Sequence, residues 1–426
     1  MTEIAPRCRL PVPMFAELAA GGGGVDVIRR LRQANRSRTL LAIGLIATET
    51  ARQAHADAPV VAAAYRVLDE LREQAPDAAA RVLDDPAVGM WAIGTARGLA
   101  GTSLAARPGA LAQIAAAVAV RAGLPAELGV AGGPDLRLPS LGTMRLPGPA
   151  IRIRPGGAET VVTGGGQSVR IPGAVGEPAA GWRPMVTAAL GARTVPLEDW
   201  AFTSLPGGFA GEPQSPAPSH ATAWSEMLTA SVRLLEHHGL AGTITETLRS
   251  IGPLRSRAQN SATLADAFGC VLMTLPSDAR TGAVTLVHEV QHAKLAALMD
   301  LVPLVESVAS QRFYAPWRQD PRPLLGLLHG AYAYLGIIAF WRRQRQFEQD
   351  SDAEFIAEVE FARWRQATTE TVHTIVSRPE LTSHGRTFTE YMSATLAEMS
   401  SDSVSASSRK AAERLNNTHR ARWKLT

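Results

Sequence analysis

The feature that most constrains the fold is a change of composition in the middle of the chain. Residues 132–218 are rich in Gly, Pro and β-branched residues, whereas Ala, Leu and Arg at helical spacing dominate the regions on either side. Segments 151–154 and 168–171 alternate apolar and polar residues, and 160–163 lies between them with glycines on both sides. Short strands joined by Gly turns predict a small antiparallel β unit. We therefore expect an α+β fold that is mainly helical.

The same composition change divides the chain into segments. We expect an N-terminal helical region over 1–131, a Gly/Pro-rich β region and linker over 132–218, a helical region over 219–399 and a tail over 400–426. The run 205–218 is typical of a loop or linker. The glycines at 164–166 are not followed by the Lys-Ser/Thr of a phosphate-binding loop, so we expect a hairpin turn there. The tail is Ser-rich and then basic, which predicts a solvated, partly disordered segment.

Composition excludes several classes of protein. With 46% hydrophobic and 19% charged residues, the chain has the balance of a folded protein. A net charge of +4 is too mild for a dense nucleic-acid-binding face. The two cysteines, Cys8 and Cys270, are too few for a disulfide framework or a Cys-based zinc site. The N-terminus lacks the apolar core of a signal peptide, and charges, Pro and Gly interrupt the apolar stretch 100–130, so we expect no membrane segment and a cytoplasmic protein.

One motif carries chemistry: His288 and His292 form an HExxH motif with Glu289 between them. Residues i and i+4 lie on one face of a helix, so both imidazoles can reach one metal ion. The flanking residues are apolar at helical spacing, and no Pro or Gly interrupts 283–302. The motif therefore predicts a metal site on a helix, against the alternative of two histidines at coincidental spacing.

A catalytic metal site needs a third protein ligand. His329 is the best candidate, because it lies in a very apolar helical segment where a histidine needs a partner. His384 is a weaker candidate in a predicted loop, and a carboxylate ligand such as Glu306 remains open. His237 and His238 are expected to interact with the C-terminal dipole of a helix.

Two chemistries fit such a site. In a zinc peptidase, Glu289 is the general base that acts on a metal-bound water. In a non-haem iron oxygenase, three ligands leave open positions for 2-oxoglutarate and oxygen, and an arginine binds the distal carboxylate of 2-oxoglutarate. Arg318 and Arg322 are candidates for that role, although an ordinary rigid loop with Asp320 paired to an arginine is as consistent. The buried strand 268–275 is either internal to a sheet or open to pairing with a peptide.

Several segments together resemble the HExxH-motif peptide-modification family. The resemblance covers nearly the whole chain, and its most specific parts surround the HExxH motif and the Trp-Arg segment. The segments that carry it are 10–23, 195–199, 285–295, 314–323 and 326–334.

The resemblance implies 2-oxoglutarate-dependent peptide β-hydroxylases that act on ribosomally made precursor peptides, with a metallopeptidase-like fold adapted to oxidation. It implies iron at His288 and His292, with His329 as third ligand, and a precursor peptide as partner. Some relatives carry a histidine where this chain has Tyr334. Glu289 then orients a ligand or a water instead of acting as a base.

Overall fold

A computed structural model describes the structure of residues 10–130, 135–157, 159–173, 176–200, 202–203, 205, 211–306 and 311–423. The protein has a mixed α/β structure, 57% helical, with small antiparallel sheets. The prediction of a mainly helical α+β protein is confirmed at this level.

Thirteen α-helices lie in the described part of the chain. They are α1 (Val12–Ala19), α2 (Val25–Arg52), α3 (Ala58–Gln74), α4 (Pro76–Leu83), α5 (Pro86–Leu99), α6 (Leu111–Ala122), α7 (Ala221–His237), α8 (Ala241–Thr247), α9 (Ala279–Met299), α10 (Leu324–Phe347), α11 (Ser351–Val376), α12 (Ser383–Ser400) and α13 (Ala406–Trp423). Two short 3-10 turns lie at Pro108–Ala110 and Pro218–His220.

The strands are short. They are β1 (Ala126–Gly129), β2 (Asp135–Leu138), β3 (Gly142–Arg145), β4 (Ala150–Gly156), β5 (Glu159–Gly164), β6 (Gln167–Pro172), β7 (Trp182–Pro184), β8 (Thr187–Leu190), β9 (Arg193–Pro196), β10 (Glu212–Pro213), β11 (Ser250–Arg255), β12 (Ser261–Thr263), β13 (Cys270–Met273), β14 (Arg312–Phe313) and β15 (Arg322–Pro323).

These elements form two compact units. The first unit contains the described residues of Met1–Leu31, Met227–Thr247 and Pro276–Thr426, and the second contains those of Arg32–Glu226 and Leu248–Leu275. Their borders differ from those of the four predicted segments. Composition follows the order of the chain, whereas each unit is assembled from distant stretches of it. Part of the predicted linker, 206–210, lies outside the described residues.

The predicted β unit lies in the second unit. Strands β4, β5 and β6 pair antiparallel, with Ile153 opposite Val162 and Val162 opposite Val169, and β1 pairs with the outer edge of β4. The alternation works because Ile151, Ile153 and their cross-strand partners are buried while the arginines between them face outward. Gly165 and Gly166 have φ angles of +54° and +77°, so they form the predicted hairpin turn.

The strand predicted at 268–275 is internal to its sheet. The sheet order is β10-β11-β13-β12, and β13 pairs parallel with β11 and antiparallel with β12. All four residues of β13 are buried. Because both edges of β13 are paired, the idea that a peptide adds to this strand is wrong.

In the first unit, α9, α10 and α11 pack side by side, and α12 and α13 pack against α11. The prediction of a partly disordered tail is wrong for 406–423, which form α13. Ser408 and Ala412 of α13 are buried, Asn416 donates a hydrogen bond to the Arg363 carbonyl, and Arg420 pairs with Glu370. The lysine and the arginines of α13 itself are exposed.

Helix α10 is the most apolar long helix in the described residues. By length and composition alone it could cross a membrane, but 72% of its apolar window is buried inside the protein. An apolar core helix has the same properties.

Candidate metal centre

Helix α9 positions the HExxH motif. Its N-cap is Asp278, whose carboxylate accepts a hydrogen bond from the Thr281 amide at 2.9 Å. The helix then continues without interruption to Met299, so His288 and His292 lie one turn apart on the same face. The helical placement that the sequence predicted is therefore present.

The two motif histidines converge. The Nε2 atoms of His288 and His292 are 3.1 Å apart, and their ring centres are 4.7 Å apart. Two nitrogen ligands of one metal, each about 2.0–2.1 Å from it, are about 3.0–3.4 Å apart. The observed distance fits such a pair, and it also fits a hydrogen bond between two neutral imidazoles.

His329 lies on α10, with its ring centre 5.8 Å from that of His292. Side chains of all three histidines line one cavity. As the side chains stand, the described residues contain no group of three His, Cys, Asp or Glu side chains close enough to hold a metal ion. The structure thus places two predicted ligands at a spacing that suits one metal ion, and the third in the same cavity wall at a wider spacing.

Small residues let α9, α10 and the preceding segment approach closely. A Cβ atom at Gly336 would lie 2.7 Å from Gln291 Cγ on α9. A Cβ atom at Gly330 would lie 2.2 Å from the indole of Trp317. These contacts leave no space for a side chain, so Gly336 sets the distance between α9 and α10, and Gly330 sets how closely Trp317 packs on α10.

The glycine-rich segment after α1 also holds α9, through Gln291 and Lys294. Gln291 Nε2 and Lys294 Nζ both donate hydrogen bonds to the Gly21 carbonyl, at 3.0 Å and 3.3 Å, and Lys294 also donates to the Gly22 carbonyl. Burial lowers the pKa of Lys294 to about 7. Residue Gln291 of the motif therefore has a structural role: it contacts Gly336 of α10 and binds the Gly21 carbonyl.

The cavity has a volume of about 510 Å³. Its lining residues are His288, His292, Trp317, Arg318, Arg322, Pro323, Leu325, Gly326, His329, Gly330 and Tyr334. They include three imidazoles, two guanidinium groups and no carboxylate. The cavity is therefore suited to a metal ion and an anionic ligand.

The electrostatics of the histidines favour metal binding. Burial lowers the pKa of His288 to about 4, that of His292 to about 3 and that of His329 to about 4. The charges of the neighbouring histidines lower the pKa of His292 further, while Glu289 opposes the shift. All three rings are neutral at pH 7, which is the form that binds a metal.

An aromatic wall closes one side of the cavity. Tyr334 stacks on Trp317 with ring centres 4.9 Å apart and packs against Trp364 at 4.2 Å. The rings of the same tyrosine and of His288 form a T-shaped pair with centres 5.5 Å apart. Burial raises the pKa of the Tyr334 hydroxyl, so that hydroxyl stays protonated at neutral pH. The wall fixes the orientation of His288 and makes this side of the cavity apolar.

Both predicted arginines line the cavity, and both also contact Asp320. Arg318 Nε donates to Asp320 at 2.7 Å, and Arg322 Nη1 donates to its other oxygen at 3.2 Å. The pairing of Asp320 with arginines, the simpler of the two expectations, is therefore present. It does not remove the guanidinium groups from the cavity wall.

The remaining candidates lie elsewhere. Glu289 is 2% exposed and does not line the cavity. Glu306 donates its backbone amide to Glu380, and His384 lies in α12 with its ring beside Phe15. His238 is fully buried, stacked on Phe340 and hydrogen-bonded to Gln344, so the expectation of a helix-end dipole role is incomplete for it.

Sequence reasoning did not identify the aromatic wall of Trp317, Tyr334 and Trp364 as part of the site. The available signal was the aromatic residues flanking Arg318 and following His329.

No protein-family model matches this chain, and no curated protein matches it.

Proposed function

We propose that the protein is an Fe(II)- and 2-oxoglutarate-dependent oxygenase that β-hydroxylates a side chain of a ribosomally made precursor peptide. The observation that carries the proposal is the cavity itself, where three neutral imidazoles and two arginines share a wall that includes no carboxylate. Metal ligands and an anion-binding group in one cavity are what a metal-bound keto acid needs.

The donor set fits a metal ion such as iron. His288 and His292 would supply two nitrogen ligands from one helix face, at their present 3.1 Å separation. His329 would supply the third after a small approach of its ring toward His292. Iron at this position would supply the oxidising chemistry, with 2-oxoglutarate and oxygen as co-substrates. Imidazole ligands also accept zinc, so ligand type alone does not select iron.

The arginines would hold the co-substrate. A guanidinium group binds a carboxylate through two parallel hydrogen bonds, so Arg318 or Arg322 can fix the distal carboxylate of 2-oxoglutarate. Asp320 contacts both groups and orients them. The keto-acid end of a 2-oxoglutarate molecule bound this way would then be available to the histidines of the same cavity.

The aromatic wall would exclude water from the reacting side chain. Trp317 and Tyr334 present apolar faces beside His288, and exposed Leu325 lies at the margin of the cavity. An apolar wall suits the Cβ position of a peptide side chain and excludes water that would compete at the site.

The alternative is a zinc peptidase with Glu289 as general base. Such a base must reach a water in the cavity. Glu289 is 2% exposed and is absent from the cavity wall, which favours the oxygenase. In the oxygenase, Glu289 would orient a ligand or a water instead of acting as a base.

The wider proposal follows the sequence resemblance described above. The chain is proposed as a member of the HExxH-motif peptide-modification family, with a metallopeptidase-like HExxH helix and a precursor peptide as partner. Its proposed place of action is the cytoplasm, without nucleic acid or membrane.

Oxygen consumption tests the proposal. Fe(II)-loaded protein is expected to consume oxygen only when 2-oxoglutarate is added, and His292→Ala is expected to abolish the consumption. Glu289→Gln is expected to retain part of it. Peptide cleavage in the absence of oxygen that is lost in Glu289→Gln would establish the peptidase instead.

A further inference from the structure

A second cavity of the first unit lies between α11 and α13. It is an open groove of about 730 Å³ lined by Phe355, Ile356, Val359, Glu360, Ser407, Lys410, Ala411, Arg414 and Leu415. We call it the α11/α13 groove. No catalytic or metal-binding role in the proposed function uses any of these residues.

The floor and walls of the α11/α13 groove are apolar and open to solvent. Phe355 is 44% exposed, Ile356 is 49% exposed and Leu415 is 40% exposed, whereas Val359 at the floor is buried. Large apolar side chains this exposed around one groove mark a site that another molecule covers. A groove between two helices suits an amphipathic helix, whose side chains at i, i+3, i+4 and i+7 enter it.

The charges beside the apolar surface are basic. Lys410 and Arg414 lie one turn apart on α13, both exposed, in a row beside Ala411 and Leu415. Neither forms an ion pair with any residue in the described part of the chain. The one carboxylate that lines the groove, Glu360, already accepts hydrogen bonds from Trp364 and Arg363. The free charge of the groove is therefore positive.

Side chains connect the α11/α13 groove to the cavity that His288, His292 and His329 line. Glu360 of the groove accepts the Trp364 indole hydrogen bond at 2.6 Å, and the Trp364 ring packs on Tyr334, which lines the cavity. Phe355 lies nine residues before Trp364 on α11, about 14 Å along the helix. Along α11, Glu360 of the groove therefore lies one turn from Trp364, which packs on the cavity wall.

We infer that the α11/α13 groove binds a helical segment of the peptide substrate, one that presents apolar residues flanked by Asp or Glu. This inference rests on the proposed function for the identity of the partner as the substrate. The apolar side chains enter between Phe355 and Leu415, and the acidic side chains pair with Lys410 and Arg414. The segment to be modified then extends toward the cavity.

Fluorescence anisotropy with the purified full chain tests the inference. The probe is a labelled synthetic amphipathic helix of about four turns, with Leu at the spacing above and Glu beside the Leu positions. A counter-probe carries Lys in place of each Glu. The Glu probe is expected to bind about tenfold more tightly than the Lys probe, because two rim ion pairs together supply that difference.

Matched variants separate the groove from the rest of the surface. Leu415→Ser is expected to weaken the Glu probe about tenfold, and Lys410→Glu with Arg414→Glu is expected to reverse the preference between the two probes. The controls are Leu45→Ser, an exposed leucine of α2, and Arg66→Glu, an exposed arginine of α3, and neither is expected to change binding.

Three results would overturn the inference: equal binding of both probes, no binding of the Glu probe, or unchanged binding in the groove variants. A dimer by light scattering that Leu415→Ser dissociates would assign the groove to a second copy of the chain instead. Binding is measured without iron, 2-oxoglutarate or oxygen. If the protein binds the Glu probe but shows no oxygenase turnover, only the proposed function is refuted. If it shows turnover but does not bind the probe, only the inference about the α11/α13 groove is refuted.

Discussion

Gly330 and Trp317 are in direct contact in the wall of the cavity that the three histidines line: a Cβ atom at position 330 would lie 2.2 Å from the Trp317 ring. Gly330 directly follows His329, and Trp317 stacks on Tyr334, which in turn meets His288. One glycine therefore determines whether the aromatic wall can close against the helix that carries the third proposed ligand.

This contact predicts the effect of Gly330→Ala. An added methyl group must displace Trp317, which costs about 1–3 kcal/mol, while the better helix propensity of Ala returns at most about 1 kcal/mol. We expect a net loss of stability in urea unfolding and weaker metal binding, because the wall that orients His288 moves.

Gly94→Ala is the matched control. Gly94 also lies inside a helix, α5, but a Cβ atom there meets nothing within 4 Å. We expect it to stabilise the protein by up to about 1 kcal/mol. Equal effects of the two substitutions would show that the Trp317 contact does not matter.

A buried carboxyl group in the second unit predicts pH-dependent stability. Burial and the charge of Asp85 raise the pKa of Glu198 to about 8, although Arg137 partly opposes the shift. The folded state therefore binds a proton that the unfolded state releases between about pH 4.5 and about pH 8. Stability is full below this window and falls as pH rises through it, by a few kcal/mol.

Glu198→Gln tests this, because glutamine keeps the shape and cannot ionise. The unfolding free energy should decrease less between about pH 5 and about pH 9 in the variant than in the wild type. An identical decline in both proteins would mean that Glu198 is not the group responsible.

Lys294 predicts the opposite dependence. Burial lowers its pKa to about 7 from an ordinary value of 10.5, so the unfolded chain binds more protons across that interval. Its contribution to stability rises as pH increases from about 7 to about 10. The unfolding free energy of the wild type minus that of Lys294→Met should increase over this range. A constant value would show that Lys294 is not the group responsible.

The sequence was sufficient to predict the helical placement of the HExxH motif, but not the side chains that surround it. His288 and His292 follow from helical spacing, and His329 from the cost of placing a histidine in an apolar helix. Trp317 and Tyr334 could not be assigned, because their contact depends on the close approach that Gly330 permits. Such an approach is set by tertiary packing, which leaves no local pattern in the sequence.

The C-terminal segment 406–423 is a second case in which composition did not predict the structure. Its charges are those of a solvated segment, yet α13 forms and packs on α11 through Ala412, Ser408 and Asn416. Tyr314 and His419, 105 residues apart, are joined by a hydrogen bond of 2.8 Å. The residues that pack α13 on α11 are small and stand between exposed charged residues. The overall composition of the segment therefore does not reveal them.

The arginines predict how the co-substrate binds. Replacing Arg322 with Lys keeps the charge and removes the two parallel donors, so the KM for 2-oxoglutarate should rise about 10- to 100-fold with a smaller change in kcat. Arg318→Lys is measured in parallel, and the larger increase identifies the carboxylate ligand. Arg66→Lys, on the exposed face of α3, is the control. An unchanged KM in both cavity variants would remove these arginines from the binding site.

Succinate formation tests whether the protein is a 2-oxoglutarate-dependent oxygenase. The protein is loaded with Fe(II) without oxygen, and 2-oxoglutarate and oxygen are then added, with His288→Ala treated identically. We expect the wild-type protein to form succinate, even without a peptide, and His288→Ala to form none above background. Absence of succinate, together with zinc-dependent cleavage of a peptide pool that needs no oxygen, would contradict the proposed oxygenase activity.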